Sequence, residues 1–117
     1  LNHIKMDVDY GLISLEWMEQ YIDNERDNYS EEIRQHILAT FGAYYGECIR
    51  LTYNGRWVKT DYGWAIELTH KNGTVVVSCF GKVEKWMQSG QSGDSFVGMF
   101  KAIPYILKRI EEDSDKK

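Results

Sequence analysis

At 117 residues, 43% hydrophobic and 27% charged, the chain holds one domain able to bury roughly two-thirds of its unfolded surface, which excludes wholesale disorder. Its net charge of −4 is uneven: residues 1–32 carry nine acids against Lys5 and Arg26, a net of −7, while the remainder carries nine acids against twelve bases. An acidic third of this kind repels phosphate backbones and attracts basic proteins, which disfavours nucleic acid as a partner.

No apolar run approaches the ~20 residues that span a bilayer, and no signal-peptide pattern opens the chain as given. Cys48 and Cys79 form neither a disulfide framework nor a zinc-binding spacing. They read as reduced core thiols of a cytoplasmic protein, with no metal and no cofactor expected. One domain over residues 1–117 is expected, with a charged, frayed tail at 111–117.

In chain order, Leu15, Met18 and Ile22 mark one face of a helix over 12–25, with Trp17 and Tyr21 alongside and Ser14 as N-cap. Ser30 caps a second helix whose first turn holds Glu31 and Glu32, the charge a helix N-terminus favours. Its apolar positions run from Ile33 through Ile37, Leu38, Phe41 and Tyr44/Tyr45 to Cys48 and Ile49, and Asn54-Gly55 ends it. Gly42 and Gly46 interrupt this helix at about 1 kcal/mol each relative to Ala, which predicts another backbone packed unusually close. The Gly42/Gly46 step then serves packing within the domain, since its flanks are not those of a membrane helix.

Strands follow at 56–60 and 64–70, joined by Asp61-Tyr62-Gly63. Asn72-Gly73 is the dipeptide a type I′ hairpin turn requires, and a two-residue loop there pairs Lys71 with Thr74 and Leu68 with Val77. Trp64, Ile66, Leu68, Val75, Val77 and Cys79 then share one buried face. A one-residue slip in the first strand would exchange Trp57 and Val58 between faces. Phe80-Gly81 leads into a short helix with Val83, Trp86 and Met87 on one side, closed by Ser89-Gly90. Asp94 is the expected cap of a last helix whose stripe is Phe96, Met99, Phe100, Ile103, Leu107 and Ile110, kinked or split at Pro104. The fold class is α+β: a three-stranded antiparallel meander with two N-terminal and two C-terminal helices, ααβββαα.

Reactive constellations are sparse. His36, His70 and the two cysteines lie in no nucleophile motif. The run Ser89-Gly90-Gln91-Ser92-Gly93-Asp94-Ser95 precedes a helix and could cradle an anion, but it lacks a Walker lysine and does not follow a strand. Glu47 stands beside Tyr44/Tyr45; a structural carboxylate paired with Lys82, Arg50 or a tryptophan N–H is the plain reading, a catalytic acid the sharper one. With four Trp and eight Tyr, the chain has more rings than a core of this size needs, and spare surface rings favour binding.

The run Phe41-Gly42-Ala43-Tyr44-Tyr45-Gly46-Glu47-Cys48-Ile49, with Gly55-Arg56-Trp57, Gly63-Trp64, Phe80-Gly81-Lys82-Val83-Glu84-Lys85 and Asp94-Ser95-Phe96, resembles a group of small uncharacterised bacterial proteins. The likeness would span about residues 12–107 and implies this fold and a bacterial origin, with no activity to carry over. By analogy alone, acidic bacterial domains of this build are often immunity proteins that block a toxin. The expected function is therefore a non-enzymatic inhibitor binding a basic toxin domain, possibly a nuclease, through Glu16, Glu19, Asp23, Asp61 and Tyr62. The alternative is a small-ligand sensor or enzyme with a pocket lined by Tyr44, Tyr45, Glu47, Trp57 and Trp64. A third is a subunit that self-associates through a spare aromatic face.

Overall fold

The computed structural model describes residues 10–71 and 73–115. Among the described residues four helices and three strands follow one another: α1 (Leu12–Glu25), α2 (Glu31–Tyr53), β1 (Arg56–Thr60), β2 (Gly63–His70), β3 (Gly73–Val77), α3 (Cys79–Ser89), a 3₁₀ turn (Ser92–Asp94) and α4 (Phe96–Asp115). The strands form an antiparallel sheet in the order β1-β2-β3, so the chain is an α+β domain. α2 and α3 pack on the sheet and on each other, α4 lies along β3, and α1 packs on α4 and α3.

The sheet's inner face carries Trp57, Ile66 and Val77 in one row and Leu68 and Val75 in the next. Ile66, Leu68 and Val77 are buried and Val75 is half-buried. The β2–β3 register differs from the expected one. Leu68 faces Val75, Ile66 faces Val77, and His70 faces Gly73. The pairing is displaced by two residues, and because side chains alternate every residue, the strand residues keep their faces, while Cys79, expected on the same face, lies outside the sheet as the first residue of α3. Gly73 sits in the strand, where an added Cβ would lie 2.7 Å from Ile110 of α4; the missing side chain lets that helix approach. Asn72, the other half of the expected turn, lies outside the described residues, as do the acids Asp7 and Asp9.

Trp64 corrects another expectation. It shares the inner face with Ile66 but is 52% exposed. It pairs with Lys59, next to the last pair before the hairpin turn, Thr60 with Gly63, and its ring borders an open depression between the sheet and the helices.

Helix ends explain several further differences. Gly11, not Ser14, precedes the first helical residue of α1. Ser30 caps α2 as expected, its side chain accepting from Ile33 N at 3.2 Å. Asn54 ends α2 in the left-handed conformation at φ 58°, its N–H donating to Arg50 O. α4 is capped by Ser95 rather than Asp94: its hydroxyl accepts from Gly98 N at 2.9 Å, while Asp94 sits in the 3₁₀ turn and accepts from Ser89 Oγ at 2.6 Å. Pro104 does not split α4, which continues to Asp115 through residues expected as a tail. Having no N–H, Pro104 leaves Phe100 O without its helical donor. Tyr53 Oη of α2 donates to that carbonyl at 2.8 Å.

The core comprises Leu15, Met18 and Ile22 of α1, Ile37, Tyr45, Cys48 and Ile49 of α2, the inner sheet face, Val83 and Met87 of α3, and Phe96, Phe100 and Ile103 of α4. Neither cysteine is in a disulfide, both are fully buried, and burial pushes the Cys79 thiol up to about 12. Such a thiol is a packing group, not a nucleophile.

Candidate functional site

The two helix glycines explain what the α2 sequence is for. A Cβ on Gly42 would overlap the Phe80 ring of α3, and one on Gly46 would overlap the Trp57 indole of β1. The close neighbours are therefore aromatic side chains, not the backbone expected from the sequence. The two rings lie 6.2 Å apart between centroids and fill the trough left by the glycines.

Glu47, one residue beyond Gly46, fixes the indole. Its Oε2 accepts from Trp57 Nε1 at 2.8 Å and from Arg50 Nε at 2.8 Å, while Oε1 accepts from Arg50 Nη2 at 2.9 Å. The bidentate guanidinium, then the indole N–H, hold the carboxyl at about 2, well below its ordinary range. An acid held there stays ionised at neutral pH and is a weak base. Its chemistry is that of a hydrogen-bond acceptor that orients Trp57.

Above this assembly lies a shallow, open apolar depression of about 360 Å³ lined by Ala43, Trp57, Trp64 and Phe80. Lys59 places its ammonium 5.5 Å from the centre of the Trp64 ring at the rim. Of the pocket residues expected from sequence, Trp57 and Trp64 line it and Glu47 supports it. Tyr44 and Tyr45 do not. Tyr45 is fully buried, donates to Phe96 O at 2.7 Å and meets Phe96 edge-on, so burial pushes its hydroxyl up in pKa. Tyr44 stacks on Tyr10, ring centroids 4.9 Å apart. Ala43 and Phe80 were missed as lining, although the Gly42 gap hinted that something bulky must arrive there.

The residues expected at a partner surface divide. Asp61 and Tyr62 form the β1–β2 hairpin tip, with Tyr62 97% exposed. Glu16 is exposed, 4.0 Å from Lys101, and Asp23 pairs with Arg26 at 2.6 Å. Glu19 is not available to a partner. Its Oε2 accepts from Ser95 Oγ at 2.6 Å and Val97 N at 2.9 Å, so it caps α4 from another helix. This also answers the anion-cradle reading of residues 89–95: the anion at that helix start is the chain's own Glu19. The C-terminal end of α3 is closed by a cation, Arg26 donating to Trp86 O at 3.2 Å from Nε and 2.9 Å from Nη2. Gly90, at φ 64°, leaves room for that guanidinium.

Sequence reasoning also missed a surface. Trp17 and Tyr21, expected beside the buried face of α1, are 61% and 38% exposed and stack on each other, as Ile13, Trp17 and Tyr21 turn outward. Their spacing of four residues was the available signal.

Among the described residues no group of three or more His, Cys, Asp or Glu could hold a metal ion, and no helix is long and apolar enough to cross a membrane. Neither a protein-family model, nor a curated protein, nor a solved structure matches the chain.

Proposed function

We propose that this chain is a non-enzymatic protein-binding module, an immunity-type inhibitor of a basic bacterial toxin domain such as a nuclease, acting in the cytoplasm. The observation that carries the reading is the set of rigid rings left on the surface, Trp17, Tyr62, Trp64 and Tyr105 at 61%, 97%, 52% and 76% exposure, on a chain whose N-terminal third is strongly acidic. Rings of this kind supply binding energy at low entropic cost, and an acidic surface steers a basic partner into contact. Glu47 and Glu19, the acids with the best-defined surroundings, are both engaged in holding the fold.

A second reading, a small-ligand site in the aromatic depression, is favoured by its lining of Ala43, Trp57, Trp64 and Phe80 and by the support Glu47 gives Trp57. Kinetics against the product of the neighbouring gene separate the two. An inhibitor of a basic toxin binds it with an on-rate that falls with salt, and abolishes its activity at equimolar ratio. No complex, together with saturable quenching of tryptophan emission by a small aromatic compound, would favour the ligand site instead.

A further inference from the structure

The sheet has two edges, and they are finished differently. β3 has α4 beside it, with Ile110 packed where Gly73 lacks a side chain. β1 pairs with β2 on one side, and among the described residues no strand pairs with its other side. In an antiparallel pair, alternate residues turn both backbone groups to the partner, and the residues between turn theirs away. Thr60 and Gly63 close the two-residue turn, so Arg56, Val58 and Thr60 face β2. The N–H and C=O of Trp57 and Lys59 then point out of the edge, and no turn or loop backbone among the described residues bonds them.

The side chains of these two residues lie on the inner face. Trp57 lines the aromatic depression, its indole held by Glu47. Lys59 is exposed, places its ammonium 5.5 Å from the centre of the Trp64 ring, and has no carboxylate partner among the described residues. A strand laid antiparallel along β1, about 4.8 Å away, can close up to about four backbone hydrogen bonds with Trp57 and Lys59. Its residues opposite those two turn to the same face, one beside the depression and one beside the ammonium. In such an addition the backbone supplies affinity and the alternate side chains supply specificity.

Resting on the protein-binding reading, though not on the partner's overall charge, we infer that β1 takes an extended segment of the partner as a fourth, antiparallel strand. Its inward side chains are an apolar group at the depression and, two residues away, a carboxylate against Lys59. A second copy of this chain is the poorer occupant. Basic side chains along an edge guard against two edges meeting, and pairing β1 with another β1 would crowd both copies of Arg56 and Lys59 along one seam.

The probe is a capped peptide of about seven residues, long enough to overlap the five of β1, with Glu two positions before Phe and threonine elsewhere. Titrated into the full chain, it should shift the amides of residues 57–60 and the indoles of Trp57 and Trp64, and slow hydrogen exchange at the Trp57 and Lys59 amides. N-methylation of the peptide's Glu and Phe, whose N–H groups face β1, should weaken binding at least about tenfold. N-methylation of the threonine between them should change it less than about twofold. Lys59→Glu should weaken the peptide about fivefold and should prefer the same peptide with Lys for Glu. An unchanged melting midpoint establishes that this variant keeps its fold, and the N-methyl comparison needs no variant at all.

Equal loss from both methylated peptides, shifts confined to α1, or no binding at millimolar peptide would overturn the assignment while leaving the protein-binding reading intact. A dimer that protects the Trp57 and Lys59 amides would give the edge to a second copy. Protection of those amides in the free chain, lost on deleting residues 1–9, would give it to the chain's own N-terminal segment. The inhibitor reading fails separately, when the peptide docks on β1 but no basic toxin domain forms a complex.

Discussion

The carbonyl of Phe100 should behave as a shared acceptor whose two possible donors substitute for each other. Pro104 removes the helical N–H that would normally reach it, and Tyr53 Oη takes the place at 2.8 Å. Tyr53→Phe keeps the ring against Phe100, centroids 5.3 Å apart, and deletes only the hydroxyl. In the natural chain this leaves a carbonyl with neither donor on a residue only 6% exposed, at a cost of about 2 kcal/mol. Pro104→Ala restores the N–H and removes a poor helix former, raising stability on the order of 1 kcal/mol after the greater freedom of the unfolded chain is allowed for. In that background Tyr53→Phe should cost only about 1 kcal/mol, since the backbone now satisfies the carbonyl. Urea unfolding of the four proteins closes a double-mutant cycle with a coupling of about 1 kcal/mol. Additivity within ~0.3 kcal/mol, or a Pro104→Ala variant less stable than the parent, would refute the account.

Three further outcomes are expected. Gly46→Ala should destabilise by about 1–3 kcal/mol despite its helix-propensity gain, because the added methyl meets a Trp57 ring that Glu47 holds in place; a raised thermal midpoint rejects this. Glu19→Gln should weaken the cap on α4 and cost about 1–2 kcal/mol, seen as faster hydrogen exchange at Val97 and its neighbours. Glu47, depressed to about 2 in the fold from an ordinary 4.5, contributes stability that is fully present above pH 4.5 and is lost as pH falls towards 2. The melting midpoint should therefore drop more steeply across that window in the natural chain than in Glu47→Gln, and parallel curves would show that the carboxylate is not so held.

How much of this was legible follows from what each signal encodes. Alternation along β2 and β3 reports the face of a side chain, not its depth, so Ile66, Leu68 and Val77 were placed correctly while Trp64 was put too deep. The same periodicity cannot detect a shift by two residues, which is why the β2–β3 register moved without disturbing any face. Glycines at 42 and 46 announce a close approach but not its chemistry, and rings from elsewhere in the chain did what was expected of a backbone. Cap residues fared best where the partner is local, as at Ser30, and worst where it is remote. Nothing near residue 95 in sequence says that Glu19 will complete the start of α4.

α1 shows why the candidate surface was harder to read than the core. Its apolar residues occupy two arcs, one through Leu15, Met18 and Ile22 and one through Ile13, Trp17 and Tyr21, so a 3.6-residue pattern smears them into one broad face. Only the fold decides which arc goes inward, and it chooses the one without large rings. Small branched and flexible side chains let α1 reach α3 and α4 closely, while Glu19 and the Trp86 indole bond to Glu19 O fix its rotation. With that rotation fixed, Trp17 has to point outward. Its exposure is therefore a consequence of two hydrogen-bonded anchors, not of loose packing. A surface held in place this way has little conformational freedom left to lose on being covered.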